Sequence, residues 1–239
     1  MPERISRRDR PGARTYTGDV VTGGRPDVRE TSGLTITKVS VGRIDNNAYL
    51  LRCRRTGAAL LVDAADEPAT LLGLVPAGDG GRAVPGGLAA VVTTHRHWDH
   101  WGALADVVDA TRARTYAGRD DVEGIPVPTD VAVDDGDVIR FGDVELTARH
   151  LIGHSPGGVA LIYRDTAGGH HLFSGDSLFP GGVGNTERDP ARFASLIDDV
   201  ETKIFDALPD DTWVYPGHGR DTTLGAERPH LPEWRARGW

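Results

Sequence analysis

Residues 88–100 read Leu88-Ala89-Ala90-Val91-Val92-Thr93-Thr94-His95-Arg96-His97-Trp98-Asp99-His100. The first seven form a continuous apolar run, the pattern of a strand covered on both faces. The next six hold four side chains able to bind a metal: His95, His97, Asp99 and His100. Imidazole suits Zn, Fe or Mn, and a carboxylate adds a harder oxygen. A strand end running into a tight loop turns alternate residues towards one point. His95 and His97 are therefore expected to serve one ion, with Asp99 and His100 reaching a second.

Working outwards from that run, Leu34–Ser40 alternates as a half-buried strand does, and Asn47–Cys53 and Ala58–Asp63 are strands joined by the turn 54–57. A short helix is expected over 67–75, a Gly/Pro-rich loop over 76–87, and a helix from near Gly102 to Ala110. Further strands include 144–148, 159–163 and 171–174, with His170-His171 read as a solvated hairpin turn after Gly168-Gly169. Asp189-Pro190 has the chemistry of an N-cap followed by proline at N1, opening a helix to about Ala207. A last strand, 212–215, runs into Pro216-Gly217-His218-Gly219. The order is strands and a helix, twice over, which predicts two similar halves within one domain over 34–239. Residues 1–33 are polar, Arg-rich and without apolar periodicity, and are expected to form a poorly ordered arm.

Three later positions repeat the placement of His95. His154 lies in Gly153-His154-Ser155-Pro156-Gly157-Gly158, Asp176 in Phe173-Ser174-Gly175-Asp176-Ser177, and His218 in Tyr215-Pro216-Gly217-His218-Gly219. Each follows a strand and is flanked by glycine, which lets backbone approach closely. His150, His170, His171 and His230 fall outside this pattern and are read as structural.

The net charge of -8 argues against a nucleic-acid surface. No stretch nears the ~18 apolar residues that span a bilayer, and the N-terminus lacks the apolar run of a secretory signal. A single cysteine, Cys53, excludes an intrachain disulfide and fits a reducing compartment, so a cytoplasmic enzyme acting on a small molecule is expected.

The motif His95-x-His97-x-Asp99-His100, followed in order by His154, Asp176 and His218, resembles the metallo-β-lactamase superfamily in its metallohydrolase branch. The resemblance implies an α/β (α+β) fold, a four-layer αββα sandwich with the metals along one edge of the sheets. It also implies two divalent ions, Zn first with Fe or Mn open. His95, His97 and His154 would hold one, Asp99, His100 and His218 the other, and Asp176 would bridge them. Two such cations lower the pKa of a shared water and polarise a carbonyl. Asp99 would in addition accept or donate a proton as the leaving group departs.

Asp45-Asn46-Asn47-Ala48-Tyr49-Leu50 and the segment from Pro216 to Arg228 are similar to the glyoxalase II group, thioester hydrolases that cleave acyl-glutathione. That group continues past Glu227-Arg228 into a helical domain with substrate contacts, where this sequence has only Pro229–Trp239, so the thiol is left open. Trp98, Trp101, Phe179, Trp234 and Trp239 are candidate pocket walls. A lactonase would use the same ligand set. A persulfide dioxygenase would use one iron at His95, His154 and Asp176.

Overall fold

Strand alternation decides which way each side chain faces, and two sheets follow from it. The computed structural model describes residues 16–75 and 87–238. The first sheet comprises Asp27–Glu30 (β1), Leu34–Val41 (β2), Asn46–Cys53 (β3), Ala59–Val62 (β4), Leu88–Thr93 (β5), Arg114–Gly118 (β6) and Val131–Val133 (β7), paired in chain order. β1 to β4 pair antiparallel, and β4 to β7 run parallel. Parallel neighbours need a crossover, and the helices Pro68–Leu74 (α1) and Leu104–Thr111 (α2) supply two of them.

The second sheet comprises Val138–Phe141 (β8), Val144–His150 (β9), Val159–Arg164 (β10) and His170–Gly175 (β11), with a two-stranded ribbon, Leu178–Phe179 (β12) and Gly182–Val183 (β13), beyond it. The helix Pro190–Val200 (α3), prolonged by a π-helical turn at Glu201–Phe205, carries the chain to Trp213–Pro216 (β14), parallel to β11. Thr222–Thr223 (β15) closes that edge, and Leu224–Glu227 (α4) and Leu231–Arg237 (α5) end the described chain.

Tyr49, Leu51 and Cys53 of β3 face Leu146, Leu161 and Phe173 of the other sheet in one inner core. The alternate residues Ala48 and Leu50 join Leu71 of α1 and Val107 of α2 outside the first sheet. Ala160, Ile162 and Val214 meet Phe193, Leu196 and Ile197 of α3 outside the second. Helix, sheet, sheet and helix are thus four layers joined by three apolar seams, as the αββα expectation requires. Each fully buried Leu, Ile or Phe in these seams contributes about 1.5–3 kcal/mol relative to exposure.

Several expectations need correction. Residues 16–33 are not a loose arm: β1 pairs with β2 from Asp27 to Glu30, and Tyr16 donates a 2.6 Å hydrogen bond to Asp221 Oδ2. Their polarity hid this because β1 is an edge strand with only alternate residues half-covered. The first 15 residues of that arm, residues 76–86 of the expected loop and Trp239 lie outside the described residues. His170 and His171 are in β11, not in a turn, and His171 is buried against Tyr215. Past the 3-10 turn Arg228–His230 the chain forms α5, whose Trp234 is 1% exposed in the outer seam beside Phe205, so it is no pocket wall.

Candidate metal centre

Five strands end on one side of the sandwich, and their C-terminal residues converge. β4 leads to Asp63 and β5 to His95, while β9, β11 and β14 of the other sheet lead to His154, Asp176 and His218. The short 3-10 turn Trp98–His100 then carries Asp99 and His100 back over the same point. Three groups of ligand atoms lie within 4.8 Å of one another: His95, His97 and His154; His95, His100 and Asp176; and Asp99, His100 and His218. All seven side chains singled out in the sequence are brought together.

The orientation of four of the five imidazoles is fixed from behind. His154 Nδ1 donates to Asn185 O at 2.8 Å, and His218 Nδ1 donates to Ile44 O at 3.0 Å. His100 Nδ1 is 2.8 Å from Asp63 Oδ2, and His95 Nδ1 is 3.1 Å from Thr94 Oγ1, which itself donates to Asp63 at 2.8 Å. With Nδ1 carrying the proton in each, the Nε2 lone pair turns inwards. His97 alone presents Nδ1, 2.9 Å from His95 Nε2, and His154 Nε2 stands 3.2 Å from the same atom. Bare nitrogens at such separations repel one another unless a cation lies among them.

Asp176 joins the two ends of the cluster. Its Oδ1 is 3.4 Å from His100 Nε2, and its Oδ2 is 3.6 Å from His154 Nε2 and 3.5 Å from His218 Nε2. Asp99 Oδ2 lies 3.3 Å from His218 Nε2 and accepts a 2.9 Å bond from Asn46 Nδ2. Neighbouring donors around a tetrahedral ion with bonds of ~2.0–2.1 Å stand roughly 3.3 Å apart, so these separations suit an ion. His100 Nε2 and Asp176 Oδ1 are buried with no hydrogen-bond partner, a cost that ion binding would remove. Gly217 makes room: a Cβ there would collide with Asp176 Oδ1 and His100 Cε1.

Electrostatics follow the same lines. Burial pushes the Asp176 carboxyl up, but His100 and its neighbours outweigh that and hold it well below the usual range. Burial likewise opposes Asp99, and the His218 hydrogen bond and His100 more than offset it, so Asp99 stays ionised. Burial disfavours a charged His100, yet Asp63 and Asp176 raise its pKa well above the ordinary value. His95 is lowered by burial and by His100. A cation must therefore displace a proton from His100, which makes its affinity rise with pH.

Sequence reasoning passed over Asp63, Asn46 and Thr94. The signal for Asp63 was present, since it ends the apolar run 59–62 as His95 follows 88–94. Among the aromatic candidates, Trp98 is 63% exposed on the rim, and the Phe179 ring lies 6.5 Å from that of His218. Trp101 instead donates to Arg96 O. A cleft of about 450 Å³ opens beside His97 and His154, lined also by Arg96, Ile152 and Arg192.

The sequence profile of the metallo-β-lactamase superfamily matches residues 41–218, a span that includes all seven converging side chains. The chain belongs to that superfamily. Its members are metal-dependent hydrolases, and the hydroxyacylglutathione hydrolases (glyoxalase II) are among this chain's relatives. The hydroxyacylglutathione hydrolase of Polaromonas sp. is 36% identical over 177 residues, 72% of this chain and 62% of the relative. This chain thus spans less than two thirds of that relative's length. Of solved structures, TTHA1623 in a di-iron-bound form is 34% identical with a TM-score of 0.61, covering 80% of this chain and 96% of that one. BLEG-1 B3 metallo-β-lactamase is 28% identical with a TM-score of 0.67, covering 83% and 99%.

Proposed function

We propose that the protein is a dinuclear metal-dependent thioester hydrolase acting on an S-acyl derivative of a small thiol. In this reading His95, His97 and His154 hold one divalent ion, Asp99, His100 and His218 hold the other, and Asp176 bridges them. The observation that carries the two-ion reading is the Asp176 carboxylate, which faces His100 with one oxygen and His154 and His218 with the other. The likeness to hydroxyacylglutathione hydrolases supports a thioester as the bond cleaved. Zn is the first choice of metal, with Fe or Mn accepted by the same donors.

When bound, the two cations supply an acidified water and positive charge for a developing oxyanion. The chain's own residues do the rest. Asp99 is oriented by Asn46 and held ionised by His218 and His100, so it is not a proton donor at rest. Ile44, Trp98 and Ile152 are exposed at 49%, 63% and 37% on segments adjoining His218, His97 and His154, an apolar rim that suits an acyl group. No helix among the described residues is long and apolar enough to cross a membrane.

The test is metal analysis with a panel of S-acyl thiols, lactones and glutathione persulfide. Two ions per chain and thioester turnover without oxygen uptake are expected. Oxygen consumption with one iron per chain, or turnover of lactones alone, overturns the proposal. Asp176→Ala is expected to lose binuclear loading and to lower turnover beyond the ~100-fold typical of changes behind the ligands. Full activity in that variant removes the bridge.

A further inference from the structure

Lys38 occupies a position that alternation assigns to the inner core. Leu34 and Ile36 precede it on the same face of β2, and both are buried in the seam between the sheets. Lys38 is itself 0% exposed. An ammonium group at such a place is costly unless every proton is used. All three are: Nζ donates to Gly18 O at 2.8 Å, Gly219 O at 2.7 Å and Asp221 Oδ1 at 2.6 Å. Asp221, whose side chain is also fully buried, accepts from Tyr16 and Trp213 through its other oxygen.

Two of these acceptors belong to the loop that presents His218. Other groups on β3 complete the grip. Asn47 Nδ2 donates to Pro216 O and Gly219 O, each at 2.9 Å, and Tyr49 Oη donates to Pro216 O at 2.6 Å. The Asn47 amide donates to Gly217 O at 2.7 Å. The carbonyls of Pro216, Gly217 and Gly219 are thus all held by the first sheet, although the loop grows from the second. We propose that Lys38, neutralised by Asp221, is a positioning residue that shapes the Pro216–Asp221 loop and aims His218 at the metal centre before any ion arrives. The inference rests on reading His218 as a ligand.

Two measurements test it. In metal-free wild-type protein, hydrogen exchange of peptides over 216–221 should be within about tenfold of those over β14, because the clamp needs no ion. Exchange over 216–221 more than 100-fold faster, slowing only when Zn is added, overturns the proposal. The second uses Lys38→Met with Asp221→Asn, which removes both charges together and leaves no lone buried ion. Zn titration against a competing chelator should show one ion weakened by about 10–100-fold, the same ion that His218→Ala loses, with the other unchanged. A purely structural role would lower the melting point of the metal-free variant and leave both affinities alone, and that result overturns the proposal. If the double variant does not fold, the wild-type exchange measurement decides alone. A wild-type protein that loads no ion at the His218 side defeats the ligand reading, whereas two-ion loading with a loose metal-free loop defeats only the role of Lys38.

Discussion

Asp63 stands in the left-handed backbone region, with φ of 58°, at the end of β4. Asp tolerates that conformation better than most residues because its short side chain bonds locally. Here the side chain reaches further. Oδ1 accepts from the Thr94 amide at 2.7 Å, and Oδ2 accepts from Thr94 Oγ1 and His100 Nδ1, both at 2.8 Å. One carboxylate therefore sets the loop after β5 and the tautomer of His100. Asp63→Asn keeps the shape and the backbone tolerance but cannot accept along both edges. It should weaken Zn binding by about 10–100-fold in a chelator competition. Unchanged affinity would show that His100 is oriented by packing alone.

At the scale of elements, α3 works on the centre from outside the sheet. Its apolar face, Phe193, Leu196, Ile197 and Val200, packs in the outer seam, and Arg192 on a neighbouring face reaches back to the His154 loop. Arg192 Nε donates to Gly153 O at 2.8 Å and Nη2 to His154 O at 2.7 Å. The start of the helix is held by Asp189, whose Oδ1 accepts from the Ala191 and Arg192 amides at 2.8 and 3.2 Å. Asp189→Ala should cost about 1 kcal/mol of stability, read from the urea midpoint of the metal-free protein. A midpoint equal to wild type would mean that the cap adds nothing beyond Pro190 and the packing.

Over the whole molecule, the two halves of the chain each build one sheet, and burial of polar groups between and behind them makes stability depend on pH. His171 is 8% exposed and stacks on Tyr215, whose hydroxyl donates to Nδ1 at 2.9 Å and accepts from Arg29 at 3.1 Å. Burial, reinforced by Arg29, lowers the His171 pKa from 6.5 to about 4. The folded pKa lies below the unfolded one, so the unfolded chain binds the extra proton first. The contribution of neutral His171 is complete above pH 6.5 and is lost as pH falls towards 4. Between pH 7 and 4.5 wild type should lose about 2–3 kcal/mol more than His171→Asn, whose amide can still meet the Tyr215 hydroxyl. Parallel losses in urea unfolding at the two pH values would clear His171 of this role.

How much of this could be read from the chain alone divides along sequence separation. The run 88–100, the strands on either side of it and the Asp189 cap are local, because the side-chain directions of consecutive residues in a strand or first helical turn follow from the backbone itself. The recurrence of His154, Asp176 and His218 after strands extended that reading to the whole cluster. The strand end at Asp63 was legible, but its pairing with His100 was not, nor were the Lys38–Asp221 clamp on the His218 loop and the packing of Trp234 against Phe205. Their partners lie 37, 183 and 29 residues away. Which of many polar or aromatic residues meets another over such distances depends on sheet register and on how the two sheets close, and no local pattern encodes that.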